Sequence, residues 1–127
     1  MFVLKKILNG RINVSEPLRM PCGAAIELAA GDAVKYDSTG KLVKVAADDT
    51  AEYVVMADTK CTAATDTVPV ILVTKEMLFD VDMATAVTVG KKYQFSGGNS
   101  ITATAAANGF GAYVMAYADK VATVRLA

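Results

Sequence analysis

The chain reads as an all-β protein, a small β-barrel or β-tulip-like sandwich built from two similar hairpin units, with an extended N-terminal arm. Three observations point there. Short β-branched and aromatic runs recur at roughly 8–12-residue intervals, separated by Gly, Asn, Asp and Pro. No stretch holds a 3.6-residue apolar period long enough for a helix. A hairpin-sized stretch also occurs twice. Gly31-Asp-Ala-Val-Lys-Tyr-Asp-Ser-Thr-Gly40-Lys-Leu-Val-Lys-Val-Ala-Ala47 is matched by Gly90-Lys-Lys-Tyr-Gln-Phe-Ser-Gly-Gly-Asn99-Ser-Ile-Thr-Ala-Thr-Ala-Ala106, with Ala46-Ala47 falling on Ala105-Ala106. Gly31 aligns with Gly90, Val34 with Tyr93, Tyr36 with Phe95, Gly40 with Asn99 and Leu42 with Ile101. A further strand follows each copy, at Tyr53–Ala57 and Tyr113–Ala116. The repeated residues are turn formers and apolar core candidates, with no reactive group among them.

Residues 1–25 form the expected arm, and 26–127 the body. Pro17 and Pro21 oppose a helix in the arm, while Asn9-Gly10 and Cys22-Gly23 supply turns. Phe2, Leu4, Ile7 and Leu8 need an apolar surface to cover them, in their own body or in another subunit. A helical turn competes only at 24–30, where Gly31 stops it. Strands are expected over 33–37, 42–46, 52–57, 68–74, 77–83, 86–89, 92–95, 100–105, 112–116 and 121–126. Pro69 places the start of its strand at a sheet edge or at the first strand position. In Met77–Met83, Asp80 and Asp82 fall on one face, and Phe79, Val81 and Met83 on the other. Gly97-Gly98-Asn99 and Asn108-Gly109 are strong turn signals.

At 127 residues the chain is one domain with a sizeable core. Apolar residues make up 54% of it, but 22 residues are Ala, so much of that core is small. Acidic and basic residues balance at 13 each, which gives no overall basic field for nucleic acid. The balance conceals a difference. Lys5, Lys6, Arg11 and Arg19 face only Glu16 within residues 1–25, so a basic arm stands against a mildly acidic body. That arm suits an acidic surface; the plainer reading is a solvated terminus. The Met-Phe-Val-Leu-Lys-Lys start lacks a signal-peptide apolar region, and no run is long enough to span a membrane as a helix. Expression in a cytosol is expected, and with it two free, packed thiols at Cys22 and Cys61. A disulfide between them requires Cα atoms within about 7 Å.

Candidate chemistry is sparse. His is absent, so a Ser–His–Asp triad and a Cys/His zinc site are both excluded. Asp80 and Asp82 have no third ligand or base in sight and read as a solvated strand face. No nucleophile elbow or phosphate-binding loop occurs. Asn13-Val14-Ser15 fits the glycosylation sequon without other signs of secretion. Gly31-Asp-Ala-Val resembles a turn of biotinyl and lipoyl carrier domains. Those need a modified Lys beside Met or Ala at a hairpin tip, and neither tip here has one. No metal, cofactor or enzymatic activity is expected.

The order of elements resembles the capsid decoration, or cement, proteins of tailed bacteriophages. The resemblance rests on the Gly31-Asp-Ala-Val hairpin, Val54-Val-Met-Ala57, Val68-Pro-Val-Ile-Leu72, Val89-Gly-Lys-Lys-Tyr93, Gly111-Ala-Tyr-Val-Met-Ala116 and the closing Val121–Ala127. It covers 26–127 well and the arm loosely, and its motifs are structural. It implies a virion protein, made in the host bacterial cytoplasm, that binds the capsid exterior and bridges capsomers. Its partners would be the major capsid protein and further copies of itself, as a homotrimer, with no nucleic acid or membrane partner. The arm would make the contact. Phe2, Val3, Leu4, Ile7 and Leu8 would anchor it, and Lys5, Lys6, Arg11 and Arg19 would steer it to an acidic shell. Another β-barrel virion part, such as a head-fibre base or a carbohydrate-binding module, is the alternative. The absence of Trp weighs against the sugar binder.

Overall fold

A computed structural model describes residues 1–8, 18–107 and 109–126. Thirteen strands fill the described residues: β1 Val3–Ile7, β2 Leu18–Pro21, β3 Ile26–Leu28, β4 Ala33–Tyr36, β5 Leu42–Lys44, β6 Tyr53–Val55, β7 Thr59–Cys61, β8 Thr67–Leu72, β9 Met77–Asp82, β10 Lys92–Ser96, β11 Ser100–Ala105, β12 Ala112–Ala118 and β13 Val121–Arg125. They form a first sheet in the order β2-β8-β6-β4-β5, a second in the order β1-β9-β13-β12-β10-β11, and a ribbon of β3 and β7. The all-β class holds. The architecture is a sandwich, and among the described residues no ladder closes either sheet into a barrel. Backbone bonds stitch the sheets together at their corners instead, as from Ala33 N to Gly98 O at 2.7 Å and from Phe95 N to Ala47 O at 3.0 Å.

The duplication extends beyond the hairpins. Without β1, the second sheet repeats the first strand for strand, with β9, β10, β11, β12 and β13 standing for β2, β4, β5, β6 and β8. The pairs Ala33↔Val54 and Val34↔Tyr53 recur as Lys92↔Tyr113 and Tyr93↔Ala112, each residue 59 positions on. The corners repeat as well. Gly31 N donates to Val55 O and Gly90 N to Val114 O, both at 2.8 Å, with φ of 86° and 88° at the two glycines. That left-handed backbone suits residues without a Cβ, and a Cβ on Gly31 would run into the Met1 side chain. The ladder also moves the alignment of the third strand by one residue: Tyr53 corresponds to Ala112, and Val54 to Tyr113.

Cross-strand partners share a face, so registers and burial assign each sheet a front and a back. On the second sheet, Phe79, Val81, Tyr93, Phe95, Ile101, Ala112, Val114, Ala122, Val124 and Leu126 form the front, and all are buried in the larger core. The back of the first sheet joins the same core through Ala33, Val54 and Ile71. The front of the first sheet instead builds the smaller core, from Val34, Leu42, Val55, Val68 and Val70, together with Leu28 of the ribbon and both cysteines. The sheets are therefore stacked front to back. At the exposed end of the stack, the repeat counterparts of Ala33, Val54 and Ile71 are Lys92, Tyr113 and Arg125. Polar residues there end the series, as capping repeats do in solenoids. The Arg125 guanidinium lies over the Tyr113 ring, 4.9 Å from its centroid.

Several expectations need correction. The described part of 1–25 is not a projecting arm. β1 pairs antiparallel with β9, β2 pairs with β8, and Phe2 is buried in the larger core. Phe2, Leu4 and Ile7 find their cover within the chain, along the edge that β9 would otherwise leave open, whereas Val3 and Leu8 stay exposed. Arg11, the Asn9-Gly10 turn, Pro17, Asn108 and Ala127 lie outside the described residues. Residues 86–89 form no strand, although Val87 is buried in the core. Residues 26–28 extend as β3 rather than turning as a helix. Pro69 lies within an interior strand. Its carbonyl accepts from Met56 N at 2.9 Å just past the last β6–β8 pair, so its missing N–H falls where that ladder ends.

The cysteines are not free thiols. Cys22 and Cys61 form a disulfide, with Cα atoms 6.5 Å apart. It ties the end of β2 to the ribbon that covers the smaller core, and both residues are buried. The bridge spans 39 positions of sequence, and loop closure on that scale stabilises by about 3–4 kcal/mol. We predict that a Cys22→Ala/Cys61→Ala double variant loses about that much stability in denaturant titrations. Reductant should lower the midpoint of the wild type and leave that of the variant unchanged.

Candidate interaction surface

β1 is the outer strand of the second sheet, so one of its edges carries no partner strand among the described residues. Its alternation sorts the residues named from the sequence. Phe2 points inward and meets the Phe95 ring edge-on, with centroids 6.0 Å apart. Its backbone N–H donates to Gly31 O at 3.0 Å. Leu4 and Ile7 are half-buried and pack on the same core. Val3 and Leu8 are exposed, and Leu8 N donates to Glu76 O at 2.8 Å. A register shift between Leu4 and Lys6 leaves Lys5 without a partner in the ladder, while Lys6 pairs with Leu78. Lys6 is exposed. Lys5 reaches the back of the sheet, 3.5 Å from Thr123 Oγ1 and 3.7 Å from Asp80 Oδ1. Arg19 lies on β2, at the edge of the other sheet, and donates to Thr67 Oγ1 at 3.4 Å. The structure thus brings Val3, Lys5 and Lys6 onto β1 with Leu8 directly after it, places Arg19 on the other sheet and removes Phe2 from the surface.

The carboxylates are engaged in loop architecture. Asp80 takes a 2.7 Å bond from the Thr123 hydroxyl, so it is more than a solvated residue, whereas Asp82 is exposed. Asp32 is nearly fully buried. It accepts from Ala29 N at 2.9 Å and lies 3.6 Å from Lys44 Nζ. The Asp48 carboxylate ties two loops together by accepting from Ala107 N and Gln94 Nε2. Asp66 accepts from the N–H groups of Ala63 and Thr62 and from the Thr62 hydroxyl, which hold its carboxyl below the ordinary range. Asp37 is lowered in the same way, first by the Thr39 hydroxyl and then by the Lys41 N–H. Burial pushes the Asp49 carboxyl up, but its bonds from Lys35 at 2.7 Å and from Ala46 N outweigh that, and its pKa is lowered on balance. Sequence reading missed Asp32 and Asp49 because their lysine partners, Lys44 and Lys35, come from other strands.

A groove of about 550 Å³ runs along the ribbon, lined in part by Glu27, Asp58, Lys44 and Lys60, whose charges cancel. No group of three or more His, Cys, Asp or Glu residues is placed to hold a metal among the described residues. Nor is any helix there long and apolar enough to cross a membrane. What the surface offers is an exposed strand edge flanked by apolar and cationic side chains. Set against known proteins, the chain matches no family model, no curated protein and no solved structure.

A carboxyl whose folded pKa is depressed contributes stability that is present above its unfolded pKa, near 4, and is lost as pH falls through the lower folded value. We predict that stability declines with acid below about pH 4. Asp49→Asn should make that decline shallower, as read from denaturation midpoints measured across pH.

Proposed function

We propose that this chain is a non-enzymatic structural protein of a phage virion that binds the exterior of the assembled capsid and bridges its subunits. The observation that best supports the reading is the position of β1. It is an edge strand with exposed Val3 and Leu8, and Lys5 and Lys6 lie between them. An open edge can hydrogen-bond an extended segment of a shell subunit, while its side chains set the register. Its lysines favour an acidic shell surface and speed encounter. Because Phe2 and Gly31 fasten the start of β1 to the body, the strand serves as a fixed edge rather than a detachable arm. A rigid sandwich closed by a disulfide suits a protein that holds neighbouring subunits in place without chemistry. Attachment at more than one point makes later contacts intramolecular and raises avidity.

The test is to mix the purified protein with expanded, undecorated heads and image them by cryo-electron microscopy. The proposal expects added density at capsomer junctions, and bare junctions would overturn it. A Val3→Glu/Leu8→Glu variant should keep its thermal midpoint, since both side chains are exposed, and should bind heads at least about tenfold more weakly. Undiminished binding would remove the β1 edge from the contact.

A further inference from the structure

The internal repeat exposes a face that the molecule covers in one unit and leaves partly bare in the other. The front of the second sheet is buried in the core shared with the first sheet at all ten positions named above, and only its margin, at Ala105 opposite Tyr93, is exposed. The corresponding front positions of the first sheet are Leu18, Met20, Tyr36, Leu42, Val34, Tyr53, Val55, Val68, Val70 and Leu72. Among the described residues, the ribbon and the disulfide cover only part of them. Leu18 and Leu72 are 45% and 49% exposed, whereas their counterparts Phe79 and Leu126 are fully buried. Tyr36 and Tyr53 are half-buried and pack edge to face, 6.1 Å apart, while their counterparts Phe95 and Ala112 are buried. This end of the face is apolar sheet surface that in the second unit forms part of the core.

We propose that a second copy of this chain covers it, front face against front face across a two-fold axis. Three features point to that occupant. The chain already covers the equivalent face with its own β-sheet, so the chemistry that fits is that of this fold. Head-to-tail stacking is opposed, because the far end of the stack presents Lys92 and Arg125 where Ala33 and Ile71 stand in the internal interface. The front of the first sheet carries one charge among its strand positions, Lys44 at the margin, and it therefore fits its own mate without burying unpaired ions. The formal net charge is also zero, so two copies meet without overall repulsion. The bare part is small for an interface, and a weak, concentration-dependent dimer follows.

Sedimentation equilibrium over a wide concentration range tests this with the full chain and without any shell. The wild type should pass from one to two protomer masses. Leu18→Glu and Leu72→Glu should each raise the dimer dissociation constant about tenfold or more and leave the thermal midpoint unchanged. Val3→Glu, on the back of the second sheet, should not shift it. A single-protomer mass at every concentration would overturn the proposal, as would a three-protomer mass or a dimer indifferent to both leucine substitutions.

Discussion

The structure depends on one packing constraint: two copies of the same sheet share a core by setting the back of the first against the front of the second. In a strand, successive side chains alternate between faces, so a sheet used in this way must be apolar on both sides. The first sheet meets that demand with Ala33, Val54 and Ile71 behind and Val34, Val55 and Val70 in front. The second has only one apolar face, and at the back its repeat positions have become Lys92, Tyr113 and Arg125. This asymmetry between two units of the same strand order governs the remaining features. It requires a lid over the front of the first sheet, which the disulfide-tied ribbon supplies in part. It also places β1 beside β9, where Phe2 and Leu4 complete the shared core.

The same constraint shapes what the surface can do. The carboxylates Asp32, Asp37, Asp48, Asp49 and Asp66 accept backbone N–H groups in the loops, where they fix connections. Two further surface features of the described residues are the β1 edge and an incompletely covered apolar face. Both are suited to binding other protein, which is why a structural role on a shell is proposed and why self-association follows from separate residues on the opposite side of the sandwich.

Much of this was legible in the sequence because it is local. The β4–β5 and β10–β11 hairpins are marked by turn glycines and β-branched runs, and the all-β class follows from them. The repeat was readable for the same reason, though only the ladder fixed its third strand. Features made by distant pairing were not readable. The β1–β9 ladder joins residues that only the folded sheet brings together, so Phe2 looked like a free anchor. The alternation of Phe2 and Leu4 with Val3 was the one available signal that the first two face inward. Cys22 and Cys61 carry no local mark of their proximity, and neither does the burial of Asp32. Among the residues assigned to shell contact, Val3, Lys5, Lys6, Leu8 and Arg19 remain on the surface because each falls on the outward side or end of its strand.

The front-to-back stack is tested most directly by exchanging the residues that distinguish the internal interface from the exposed end. Ile71→Arg and Arg125→Ile alter equivalent positions of the two units, and their stabilities are compared by chemical denaturation. The account predicts that Ile71→Arg loses at least about 3 kcal/mol, because it buries an unpaired charge between the sheets. It predicts that Arg125→Ile changes stability by no more than about 2 kcal/mol, the scale of a partly desolvated cation–π contact, because Arg125 is half-buried over the Tyr113 ring. Equal effects of the two substitutions would contradict the stack.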